Sequence, residues 1–311
     1  MSIAVAALSH APSFGSVDPG GSTLDEIKDG IQQVRAFIDR FDPEVIVVFG
    51  PDHLNGQLYS HIAPWVIGAQ AEGVGDYGTT AGPIKVDGDT ARQLHAAVLA
   101  EGIDIGRSER MIVDHGVMQP VDFLLGKDNT RPIIPVFVNA IAHPLTPMKR
   151  VREMGEAFGK AALQLNKRVL FIASGGISHS PPIPRWDTAP DEVRARLVTY
   201  APTSEQRRAR EEAMVAGIRR IADGKAPSTP LNEAWDTMVL DTLRSGNLTE
   251  VDAWENEQFI IHGGSAAHEM RSWIAAYAAL SMAGKYELPV DRYWAVKTWG
   301  GGFAVQAGCT A

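Results

Sequence analysis

The sequence predicts an α/β fold built on a central mixed or parallel sheet flanked by helices. Three observations carry this: four short runs of β-branched and apolar residues with the length of buried strands, an amphipathic helical segment between the first two, and a second helical segment that leads straight into the fourth. Parallel neighbours need a long crossover connection, which a helix commonly supplies, so this alternation favours parallel or mixed pairing.

Taken in order, Ile3 to Leu8 is the first strand. Ser22-Thr-Leu-Asp25 marks a helix start, and Leu24, Ile27, Ile31, Val34 and Ile38 follow at helical spacing up to the stop at Asp42-Pro43. Val45 to Phe49 is the second strand and Ile133 to Val138 the third. Pro147 to Gln164 is helical and runs into the fourth strand, Val169 to Ala173. Residues 185–225 break the pattern. They are charged, include Arg-rich helical stretches such as Glu205 to Arg220, lack strand signals, and are expected to form a helical excursion or lid over the sheet. No internal repeat, low-complexity tract or Gly/Ser linker divides the chain, so residues 1–311 are expected to form a single domain.

With 45% hydrophobic residues in 311, the chain can bury a sizeable core. Cys309 is the sole cysteine, which excludes an internal disulfide and any cysteine-based zinc or iron–sulfur site, and a reducing, cytoplasmic setting is expected. The first ten residues lack the basic start of a signal peptide, and no run approaches the ~20 apolar residues that span a bilayer. A net charge of −8 without basic clusters argues against nucleic acid, whose phosphates demand an excess of Lys and Arg. A small molecule is the expected partner.

Three of the strands run directly into a turn that bears histidine: Leu8-Ser-His10, Gly50-Pro-Asp-His53 and Ser174-Gly-Gly-Ile-Ser-His179. In open α/β sheets the crevice outside the carboxyl ends of the strands binds ligands, so side chains there converge although they are distant in sequence. His115 sits in Asp114-His-Gly-Val-Met-Gln-Pro120, where glycine and proline predict an irregular, function-bearing loop. His143 also follows a strand, at a longer distance. Any one of these is ordinarily a hydrogen-bonded structural residue; four of nine histidines placed this way favour a shared site.

A carboxylate comes from the segment Gly263 to Leu280. With Ser265 as N-cap, Glu269, Trp273, Ala276 and Leu280 share one helical stripe, which puts a glutamate on an apolar face. An unpaired buried carboxylate is costly, so Glu269 needs a cation, and a metal is one way to supply it. The plain alternative is a first-turn glutamate serving the helix dipole or cap. Two imidazoles, one carboxylate and no thiolate suit non-haem Fe(II) with positions left open for substrate and oxygen, although spacing alone does not separate this from zinc. There is no His-Glu-x-x-His motif, the common helical hydrolase pattern.

Ala7-Leu-Ser-His10-Ala-Pro, Phe49-Gly-Pro-Asp-His53, Val113-Asp-His115-Gly, Ser174-Gly-Gly-Ile-Ser-His179 and His268-Glu269-Met-Arg-Ser-Trp273 together resemble the class III extradiol dioxygenases, in family order and over nearly the whole chain. The resemblance implies that His10, His53 and Glu269 bind Fe(II) and that His115 and His179 are acid–base residues. It also implies cleavage of a catechol beside its diol, insertion of both atoms of O2, a short carboxylate-bearing side chain on the substrate, and a homo-oligomer. It weakens over residues 184–225, so no contact made there carries over. Two other classes compete. One is a hydrolase using zinc-activated water; the other is a non-enzymatic binding protein of the Memo type, against which two further histidines beside a metal weigh.

Overall fold

The four runs of β-branched residues are apolar at every position because both of their faces are covered, as in parallel sheets generally. The structure, a computed structural model, describes residues 2–199, 202–225 and 231–310. Its first half runs β1 (Ser2–Leu8), α1 (Thr23–Phe41), β2 (Val45–Gly50), β3 (Trp65–Gly68), β4 (Ala71–Val74), β5 (Ala81–Ile84), α2 (Gly88–Ala100), β6 (Gly106–Ser108), β7 (Met111–Val113), α3 (His115–Leu125) and β8 (Ile134–Val138). The second half runs α4 (Met148–Gln164), β9 (Arg168–Ser174), α5 (Asp191–Val198), α6 (Ser204–Ala222), α7 (Glu233–Ser245), the single turn α8 (Asn256–Gln258), α9 (Met270–Ser281), β10 (Tyr286–Val296) and β11 (Gly301–Thr310).

Eight strands form one sheet in the order β10-β11-β1-β9-β2-β8-β3-β6, and β5-β4-β7 form a small second sheet. The centre, β1-β9-β2-β8, is parallel, with Ala4 and Ile46 both opposite Leu170, and β11 and β3 flank it antiparallel. The four central strands therefore release their carboxyl ends at one edge. Alternate side chains feed two cores. Val5, Val47, Phe49 and Phe171 pack with α2, α4, α7 and α9, while Ala6, Ile46, Val48 and Ile172 pack with α1 and α3. Phe49 and Phe158 meet edge to face at 5.1 Å. This is the mixed sheet flanked by helices that the alternation predicts.

Helix α9 is buried at every residue from Met270 to Leu280, so the single apolar stripe expected for Glu269 is too narrow a description. Helix α4 comes close against it through two glycines: a Cβ on Gly155 would lie 2.2 Å from the Ala275 carbonyl oxygen, and one on Gly159 would lie 2.4 Å from that of Ala279. Ser265 does not cap the helix. A 3-10 turn, Ala267–Glu269, comes first, and Glu269 takes the N-cap position without a side-chain capping bond. Ser22 starts α1 as expected, yet its hydroxyl donates to Glu26 Oε1 at 2.5 Å and not to the backbone.

His115 is not in a loop but is the first residue of the buried helix α3, which carries Pro120 within it. The local reason is Asp114, whose Oδ1 accepts from the Gly116 amide at 2.8 Å and caps the turn. The excursion over 185–225 is helical. Residues 200 and 201 lie outside the described residues, α6 has no buried residue, and Ala189 and Leu197 pack with Leu54 and Ile141 from the loops after β2 and β8. Among the described residues no helix is long and apolar enough to cross a membrane.

Candidate active site

The loops leaving β1, β2 and β9 bring three histidines onto one carboxylate. His10 Nε2 lies 3.4 Å from Glu269 Oε2, His53 Nε2 3.3 Å from Oε1, and His179 Nε2 3.4 Å from Oε2. Glu269 is only 1% exposed, and the Gly176 amide donates to its Oε2 at 2.7 Å. A Cβ at Gly176 would sit 2.6 Å from Cε1 of His179 and push that ring out of place. The glutamate is thus no ordinary helix cap.

The opposite side of each ring is tied down. Nδ1 of His10 lies 3.0 Å from Ser174 Oγ at the end of β9. Asp114 Oδ2 lies 3.2 Å from His53 Nδ1 and accepts from the His53 amide at 2.7 Å and from Asn55 Nδ2 at 2.8 Å. A carboxylate at Nδ1 holds a hydrogen there, so Nε2, which faces Glu269, is the nitrogen that would give up its proton to a metal; outer partners orient imidazole ligands in this way.

His115 stacks on His53 at 4.2 Å and meets His10 edge-on at 5.2 Å. Asp76 holds it twice, accepting from its amide at 2.8 Å and lying 2.5 Å from its Nδ1. His179 Nδ1 donates to the Ile177 carbonyl at 3.2 Å. Its loop is clamped through Ser178, whose amide and hydroxyl both donate to Asp236, at 3.0 and 2.8 Å; the Tyr293 hydroxyl donates to the same carboxylate at 2.7 Å. The structure therefore brings His10, His53, His115, His179 and Glu269 together. His143 stands apart, with its ring 5.8 Å from that of His268. Sequence reasoning missed the positioning groups Asp76 and Asp236, and it passed over Asp114 although an aspartate just before a helical run is a capping signal.

Burial drives the pKa of His10 down to about 3, against the pull of Glu269, so this imidazole is neutral and has a lone pair to give. Burial also acts to lower His53, but Asp114 and Glu269 outweigh it and hold it well above the usual value. The same contest, decided by Glu269, raises His179. Burial alone would raise Glu269; the surrounding imidazoles instead hold it well below the usual carboxylate range. Protons on imidazole thus answer the buried charge in the metal-free chain.

These residues fit a divalent cation. Two N or O ligands about 2.1 Å from one ion at ordinary angles lie roughly 3.0–3.4 Å apart, and the nitrogens and oxygens here keep separations of 3.3 and 3.4 Å. Ring nitrogens of His10, His53 and His115 also lie within 4.8 Å of one another, a second grouping that could hold an ion. Glu269 would bring such an ion a negative charge that none of the three imidazoles supplies.

Residues 4–304 match the family described as the catalytic LigB subunit of aromatic ring-opening dioxygenase. The chain belongs to the LigB family. Full-length relatives agree: proteins named 2,3-dihydroxyphenylpropionate/2,3-dihydroxicinnamic acid 1,2-dioxygenase from Rhodococcus sp and from Rhodococcus jostii are 46% and 45% identical over 306 residues, 98% of this chain and 98% of each relative. One of the same name from Mycolicibacterium paratuberculosis is 45% identical over 308 residues, again 98% of both. The fold is also similar to that of an uncharacterized Escherichia coli K12 protein, JW3007, with a TM-score of 0.52, 16% identity and 99% of both chains covered. This LigB chain is a ring-cleaving dioxygenase, and neither the hydrolase nor the binding-protein alternative accounts for the family match.

Proposed function

We propose that this chain is an Fe(II)-dependent extradiol dioxygenase acting on 2,3-dihydroxyphenylpropionate or its cinnamate analogue, with His10, His53 and Glu269 as the iron ligands. The observation that carries the metal assignment is the convergence of two Nε2 atoms and both Glu269 oxygens at 3.3–3.4 Å, each imidazole being held from behind by Ser174 or Asp114. Two imidazoles and a carboxylate leave positions free, the set that suits non-haem Fe(II). The substrate comes from the names of the relatives.

Iron bound here would hold catechol and O2 side by side and pass electrons between them. The chain's own part is proton work. His179, whose Nδ1 hydrogen is given to the Ile177 carbonyl, presents Nε2 as the base that takes the second catechol proton. His115, with Nδ1 on Asp76, holds a proton for the oxygen that departs as the O–O bond breaks. The ring opens beside the diol, both oxygen atoms enter, and the product from the propionate is 2-hydroxy-6-oxonona-2,4-diene-1,9-dioate. Residues from β1 to α9 all contribute, so we infer one catalytic unit. A homo-oligomer is proposed from the family resemblance, and light scattering of the purified protein measures it.

The test is anaerobic loading with Fe(II), exposure to air with a panel of catechols, and detection of the yellow ring-opened product. Cleavage should be fastest with 2,3-dihydroxyphenylpropionate, and both atoms of 18O2 should appear in the product. Preference for protocatechuate or gallate would refute the substrate, and full activity with zinc in place of iron would refute the metal.

A further inference from the structure

Behind the α9 end of the site lies a second buried polar cluster that the proton chemistry does not use. Arg271 is fully buried, and among the described residues no acidic group pairs with it. Its guanidinium meets only neutral acceptors: Nη1 donates to the Thr146 carbonyl at 2.7 Å and reaches Thr146 Oγ1 at 3.4 Å, Nη2 donates to Asn256 Oδ1, and Nε has no partner. His268, also fully buried, has no hydrogen-bond partner on either ring nitrogen; the Asn256 backbone approaches it without reaching bonding geometry. A buried guanidinium without an anion, next to an unanswered imidazole, is costly in a chain whose net charge is −8.

In front of these groups opens a cleft of about 400 Å³, walled by Tyr59, Ile62, Asn139, His143 and Thr146. Its loops follow β2 and β8 at the sheet edge that also carries His53. Arg185 and Arg271 both face His143, with Asp187 the one opposing charge. Thr146 Oγ1, when it accepts from Arg271, keeps its own hydrogen for an acceptor in the cleft. No acidic residue lines the wall. Positive charge without an anion of its own, beside a hydroxyl with a hydrogen to give, is what a carboxylate requires.

We propose that this cleft, with His143 and Thr146 at its wall and Arg271 and His268 behind them, is the subsite that takes the carboxylate of the substrate's side chain. The inference rests on the proposed catechol reading for the substrate and on Arg271 for the site.

The experiment compares 2,3-dihydroxyphenylpropionate with its uncharged analogue 3-propylcatechol in the Fe(II)-loaded wild type, Arg271→Met and Thr146→Val. In the wild type kcat/KM should favour the propionate. Arg271→Met should lower that ratio about 10- to 100-fold through KM, the usual cost of losing a charge-assisted contact, and Thr146→Val should lower it less. Equal efficiency on the two substrates in the wild type, or a ratio unchanged in both folded variants, overturns the subsite while leaving ring cleavage intact. If no catechol is cleaved, the proposed function fails, and calorimetry of the metal-free protein decides the subsite separately. There 3-phenylpropionate should bind more tightly than 3-phenylpropanol, with the difference reduced in Thr146→Val; equal binding of the two probes to the wild type overturns it.

Discussion

Two buried polar clusters share the short run from His268 to Arg271, and they are built on opposite terms. Around Glu269 every group is answered: three imidazoles face the carboxylate, and Ser174, Asp114 and Asp76 hold His10, His53 and His115 from behind. Around Arg271 charge and ring nitrogens are left over, with neutral oxygens as the only partners. A cluster satisfied within the chain is pre-arranged and needs only something to replace its protons; a cluster left unsatisfied is arranged for a group the chain does not own.

The sharpest way to break this contrast is to remove its centre. Glu269→Ala should yield folded protein that retains neither iron nor activity, a larger loss than the 10- to 100-fold typical of outer partners. Stoichiometric iron at wild-type affinity, measured by elemental analysis, would show that the carboxylate is not a ligand.

The next effect separates holding metal from moving protons. His115→Gln and His179→Gln should each lower kcat about 10²- to 10⁴-fold with iron near the wild-type level. Should His179→Gln lose iron while His53→Gln keeps it, those two histidines exchange roles.

The support behind the ligands comes third. Asp114→Asn should weaken iron binding about 10- to 100-fold by loosening the hold on Nδ1 of His53, as read by competition with a chelator. Acid should act on the same atoms. His53 has a raised pKa in the metal-free chain, so iron must displace a proton there. Affinity is then greatest at alkaline pH and falls by up to about tenfold per unit as pH drops below the His53 pKa. An affinity flat from pH 8 to pH 5 would mean that His53 carries no proton for the metal to displace.

The smallest effect is expected at an exposed side chain. Arg208→Ala, on the exposed α6, should change stability by no more than about 0.5 kcal/mol. A larger shift in the denaturation midpoint would show that the helical excursion is docked more firmly than its exposure indicates.

The same contrast explains what was legible in the sequence. The central strands were, because burial on both faces leaves an unbroken apolar run such as Val45–Phe49. The long β10 was not: Glu287, Asp291 and Arg292 interrupt it, and it sits at the sheet edge with one side open. The three strands of the small sheet are only four, four and three residues long, too short for any period to register. In the site, His10, His53 and His179 were legible because each lies within a few residues of a strand end. Asp76 and Asp236 act on groups 39 and 58 residues away, and only the folded chain makes that connection. His115 was placed in the right company for the wrong local reason, since the glycine and proline that predict a loop sit inside a helix capped by Asp114.

The glycine contact between α4 and α9 gives Glu269 a remote handle. Helix α9 has 12 residues, a rod about 18 Å long at 1.5 Å per residue, with Glu269 at one end and Ala279, pressed against Gly159, near the other. A methyl group added at Gly159 has nowhere to go except into the Ala279 backbone, so the rod must shift or tilt as a body. Engineers seeking to retune this enzyme thus have a lever outside the pocket: a neutral-looking change there shifts the glutamate together with Arg271 and Trp273, which ride on the same helix.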